Sequence, residues 1–155
     1  MNQIAKHFHD IYFGGNWTSV HIRETLSDIS LKEACFKHIS LNSILALSFH
    51  ISYYTAAVLE VLKGSDLNAR DADSYKHPEI KTESDWKEFQ EKMFADALQF
   101  VQYLENLPSD SMEATFVDPK YGTYFRNIHG LIEHAHYHLG QIVLIKKLYR
   151  SGSLS

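Results

Sequence analysis

Four stretches of this chain set apolar side chains at steps of three, four or seven residues, the spacing that lines one face of an α-helix. The strictest runs from about Asp85 to Leu107, where Trp86, Phe89, Met93, Ala97, Phe100, Leu104 and Leu107 form one stripe. Ser84 stands at its expected N-cap, and Pro108 ends the run. Leu41 to Lys63 carries Ile44, Leu47, Ile51, Val58 and Leu62 and closes on Gly64, the residue type favoured just past a helix end. From about Tyr124 to Tyr149, behind Thr123, the residues Ile128, Leu131, Ile132, Ala135, Leu139, Ile142 and Ile145 face inward. The remaining stretch, Gln3 to Phe13, is interrupted by Gly14-Gly15 and resumes from about Thr18 to Leu26. A further short helix is expected after Ser30, where Ser30-Leu31-Lys32-Glu33 has the capping-box spacing.

A helix with one apolar face must bury it against another element, so the predicted fold is all-α, a four-helix bundle. Composition agrees, since Gly 7 and Pro 3 leave few turn residues for a β-rich fold. Residues 65–83 form a polar connection far longer than the ~2–8 residues usual between antiparallel bundle neighbours. At ~3.3 Å per extended residue it can run the length of a ~35 Å helix and return the chain parallel to the second long helix. The expected topology is therefore up-down-down-up. In the other long connection, residues 113–117 and 118–122 are read as a short hairpin. With 155 residues the chain is read as one domain over 1–150 with a tail at 151–155. A chain of this size buries a core without a metal or disulfide staple, so any metal would serve function rather than folding.

Net charge is −4 with no block of like charges, which argues against nucleic-acid binding. No aliphatic run approaches the ~18 residues of a membrane span, and the start MNQIAKHFHD lacks the apolar run of a signal peptide. Cys35 is the single cysteine and has no internal partner. These features lead us to expect a soluble, cytoplasmic protein that does not engage membranes.

Histidine stands out, at 10 residues in 155. Side chains advance about 100° per helical residue, so His134 and His138 lie one turn apart on one face at the edge of the apolar arc. His50 sits at the edge of the apolar arc of the second long helix, beside Leu47 and Tyr54. Three imidazoles thus point from two helices into one groove, and a three-histidine set leaves coordination positions open for chemistry. A single histidine on an apolar edge is more often a hydrogen-bonded core residue, which is the competing reading of His50. His129 and His136 fall on the opposite flank, and His7, His9, His21, His38 and His77 lie in exposed or irregular contexts. Glu133-x-x-His136 matches half of a di-iron motif, but no second copy exists.

Ser43-Ile44-x-x-Leu47-x-x-His50-Ile51, together with His134-x-x-x-His138-x-Gly140-Gln141-Ile142, resembles the DinB-like (YfiT-like) metal-dependent bundle family. Asn16-Trp17-Thr18 and Leu26-Ser27-Asp28 sit where that family has weaker Trp and Leu-Ser signals, so the resemblance spans nearly the whole chain. It implies an up-down-down-up bundle, homodimers, and a divalent metal such as zinc or nickel on His50, His134 and His138. Position 139, often basic in that family, is Leu139 here, which removes the anion-binding role that a basic residue would have there.

Three neutral imidazoles leave a metal its full charge, so it can acidify bound water or hold a substrate thiol as thiolate. Hydrolysis and low-molecular-weight-thiol-dependent S-transfer of a small-molecule substrate both follow, and the sequence does not choose between them. Glu133, next to a ligand, and Tyr54, one turn from His50, are the candidate catalytic residues, with a surface glutamate and a core-edge tyrosine as the plainer alternatives. Asp71, Asp73, Tyr75 and His77 in the long connection are candidates for a lid, against a merely solvated crossover. The competing class is a non-catalytic bundle that binds metal weakly or only dimerises.

Overall fold

A computed structural model describes residues 2–153. Its helices are α1 (Gln3–Phe13), α2 (Ile22–Ser27), α3 (Leu31–Ala34), α4 (Ile44–Leu62), α5 (Glu83–Asn106) and α6 (Tyr124–Arg150). Among the described residues there is no β-strand. The expected apolar stripes are the ones that pack. α1 and α4 each lie against both α5 and α6, and Phe8, Tyr12, Leu47, Ile51, Phe100 and Ile142 are buried between them. The rings of Phe8 and Phe100 stand 4.3 Å apart. Trp86 is fully enclosed, and its indole N–H donates to the Ile29 carbonyl at 2.8 Å, tying the α2–α3 connection to α5.

Local signals decide where each helix starts. Thr82, not Ser84, caps α5, because Asp85 three residues on returns its carboxylate to the Lys81 and Thr82 amides while the Thr82 hydroxyl accepts from the Asp85 amide. A cap at Ser84 would place Lys87 in that reciprocal position, where it has no acceptor to offer; the Ser84 hydroxyl donates to Glu88 instead. α4 begins at Ile44 rather than Leu41, with the Ser43 hydroxyl accepting from the Ala46 amide. After α1 the chain does not resume helix at Thr18. Asn16 donates to the carbonyls of Asp10 and Val20, Ser19 takes φ 57°, and the His21 imidazole caps α2.

Ser30 caps α3 as expected, but Glu33 does not complete a box. Its carboxylate pairs with Arg150 at 2.6 Å, and Asp28 bridges Lys146 and Arg150, so α2 and α3 are clamped to the end of α6. Arg150 and Lys146 hold the Asp28 carboxyl down at about 2.

The long crossover carries one 3-10 turn, Asp71–Asp73, and lies against α4. The Tyr53 hydroxyl accepts from the Arg70 amide at 2.8 Å, and the Tyr54 hydroxyl donates to Asp71. The expected hairpin before α6 is instead a loop with one bridge, Thr115 to Thr123, because a 3-10 turn at Pro119–Tyr121 occupies its returning half. α4 is, among the described residues, the one helix long and apolar enough to cross a membrane, and more than half of it is buried inside the fold, as in a core helix.

Candidate metal centre

Packing of α4 on α6 brings the three histidines together. His50 lies in the second turn of α4, while His134 and His138 follow one another by a turn in α6. Ring centroids stand 4.7 Å apart for His50 and His134, 4.8 Å for His50 and His138, and 4.5 Å for His134 and His138. One nitrogen from each lies within 4.8 Å of the others, so the group can hold a metal ion. His50 and His138 are buried and His134 is half-buried. The core neighbours Leu47, Ile51, Ala135 and Leu139 fix the two helix faces and so the imidazoles at their margin.

The polar inventory of the cluster fits a cation. His50 Nδ1 and His134 Nε2 are buried without a hydrogen-bond partner, a condition that costs about 1–3 kcal/mol per group unless something else binds there. His138 Nδ1 lies 2.7 Å from Gln141 Oε1, an acceptor that selects the Nδ1–H tautomer and leaves Nε2 with a lone pair. Burial, reinforced by His138 and His50, holds His134 down at about 4, and burial with His138 lowers His50 as well. Neutral rings are the form that ligates.

The crossover builds one wall. Tyr75 stacks on His50 with centroids 4.0 Å apart and planes at 10°, and Tyr54 stands edge-on to His50 and His134 at 5.1 and 5.2 Å. Burial and the Asp71 carboxylate push the Tyr54 hydroxyl up to about 12, so it keeps its proton at neutral pH. Beside the cluster opens a cavity of about 990 Å³ whose lining includes Val58, Leu67, Phe116, Leu131 and Arg126.

Of the two candidate catalytic residues, Tyr54 is in this wall with its hydroxyl on Asp71. Glu133 reaches the rim beside His134, where its exposed carboxylate lies 3.5 Å from His129. Asp71 and Tyr75 join the site, while Asp73 pairs with Lys76 and His77 packs on Phe49. Glu133 and His136 line different cavities, the latter beside Lys6, His7 and Asp10 of α1, so they do not act as a di-iron half-site. Sequence reasoning gave two residues of the site no role. Gln141 could have been found from its i+3 spacing to His138, and Arg126 from the ladder 126, 130, 134, 138 along α6. The chain matches no protein-family model, no curated protein and no solved structure.

Proposed function

We propose that this chain is a DinB-like four-helix bundle that uses one divalent metal, zinc or nickel, on His50, His134 and His138 for thiol-dependent S-transfer to a small electrophile. The observation that carries the reading is the pair of orphaned buried nitrogens, His50 Nδ1 and His134 Nε2, beside His138 at the edge of an open cavity. An up-down-down-up course is supported by Asn2 at the start of α1 reaching Leu104 near the end of α5, and by Phe49 and Phe89 meeting early in α4 and α5. The same resemblance leads us to include a homodimer.

When bound, such a metal lowers the pKa of a ligated thiol or water. The protein's own contribution is positional. Gln141 keeps the His138 proton on Nδ1, Tyr75 and Tyr54 wall the cluster on the crossover side, and Tyr54 keeps its own proton, which it donates in a hydrogen bond to Asp71. A lining that combines apolar side chains such as Val58, Leu67 and Phe116 with polar ones suits an organic substrate that carries polar groups. Hydrolysis is the second reading, favoured by Glu133 at the rim, where a carboxylate can accept a proton from water.

The test is metal analysis of protein purified without a metal-affinity tag, followed by thiols with electrophilic acceptors set against ester and amide substrates. Metal near one per chain with thiol-dependent turnover is expected. Substoichiometric metal in a fully folded protein would instead identify a non-catalytic bundle.

A further inference from the structure

We propose that the cavity takes an elongated organic acid, its metal-seeking end at the three histidines and its carboxylate at Arg126. The inference rests on the metal reading above and adds the second end of the ligand.

Arg126, Gly130, His134 and His138 climb α6 at steps of four residues. At ~1.5 Å per residue, Arg126 and His134 are separated by ~12 Å along the helix. Both side chains line the same cavity, and Gly130 lies between them in its lining. Glycine is the poorest helix former after proline, and here no packing demands it, since a Cβ built on Gly130 meets nothing within 4 Å. What it leaves is a clear path between the two ends.

The charges are distributed to match. Arg126 Nη1 donates to the Tyr121 carbonyl at 2.8 Å, which fixes the guanidinium, and among the described residues Arg126 forms no ion pair. Its remaining N–H donors form a fork suited to a carboxylate. The acidic groups of the lining are engaged elsewhere: Asp71 accepts the Tyr54 hydroxyl at the histidine end, and Glu133 turns to His129. The lining also offers apolar surface, Val58, Phe116 and Leu131 among it, against which a methylene chain can pack. A single guanidinium matches the single charge of a carboxylate.

The experiment uses cobalt-loaded protein and a ladder of ω-mercaptocarboxylic acids from mercaptoacetate to mercaptoundecanoate, each paired with the ω-mercapto alcohol of equal length. Binding is read from the thiolate-to-cobalt charge-transfer band. Affinity for the acids is expected to peak at an intermediate length and to exceed that of the matched alcohol by about tenfold or more, the usual scale of a charge-assisted hydrogen bond. Arg126→Gln should abolish that difference while leaving the alcohols unchanged. Gly130→Leu should weaken the long thiols and spare mercaptoacetate. Acids and alcohols binding alike, or Arg126→Gln without effect on the acids, would overturn the slot while leaving the metal centre standing. Absence of cobalt ligand-field bands before any thiol is added would overturn the centre itself, and the slot with it.

Discussion

A histidine ligates only through a nitrogen that its surroundings leave unprotonated, and the three rings meet this condition in different ways. His138 is fixed by Gln141, whereas His50 and His134 have nitrogens with no partner at all. Replacing His138 with alanine should therefore remove the metal and leave a folded, cooperative helical protein. The cost is about 1–3 kcal/mol, inside the ~5–15 kcal/mol of a typical domain. His136→Ala, on the α1 side of the same helix, should keep the metal. Metal analysis and thermal melts of both variants side by side decide the matter, and loss of metal in His136→Ala with retention in His138→Ala would reverse the face assignment. Gln141→Leu tests the positioning of His138. Partners of ligating histidines commonly contribute ~10–100-fold in metal affinity, so competition with a chromophoric chelator should show a loss of that order with the melt little changed.

At the scale of elements, the apolar stripes and the chain punctuation carried most of the fold into the sequence. Thr123 and Gly64 mark helix ends because each acts locally, through its own hydroxyl or its own backbone freedom; Gly64 takes φ 93° just past α4. The centre was legible for the same reason, since His134 and His138 share one helix face and His50 lies at an apolar edge. What was not legible depends on contacts distant in sequence. Glu33 is drawn from Ser30 by Arg150, 117 positions away, and Tyr75 reaches His50 only because the crossover folds back on α4. The α5 cap was misplaced by two residues because Thr82 and Ser84 are both capping types, and only the carboxylate of Asp85 separates them. Thr82→Ala should accordingly destabilise the protein by ~1 kcal/mol, while Ser84→Ala should stay within ~0.5 kcal/mol. Chemical denaturation of the two variants measures the difference, and equal midpoints would show that the box contributes nothing.

For the molecule as a whole, the centre sets a cost that depends on pH. His134 titrates at about 4 in the folded chain, against an ordinary value near 6.5, because burial and its two neighbours oppose a charge. Its folded pKa is thus lowered, and between about 6.5 and 4 the unfolded chain binds a proton that the native state refuses. Stability of the metal-free protein is therefore complete above that window and falls as pH drops through it, with His50 acting in the same direction. Screening at a half-buried site reduces the loss from His134 to ~1–2 kcal/mol. Carboxylates such as Asp28, held at about 2, keep their charge at pH 5, so melts of chelator-treated protein at pH 7 and pH 5 isolate the imidazoles. Tm should be lower at pH 5, and His134→Gln, which cannot titrate, should shrink that drop. A Tm drop of the same size in His134→Gln would mean that His134 takes up its proton as readily in the folded chain as in the unfolded one, and that burial does not hold the ring neutral at pH 5.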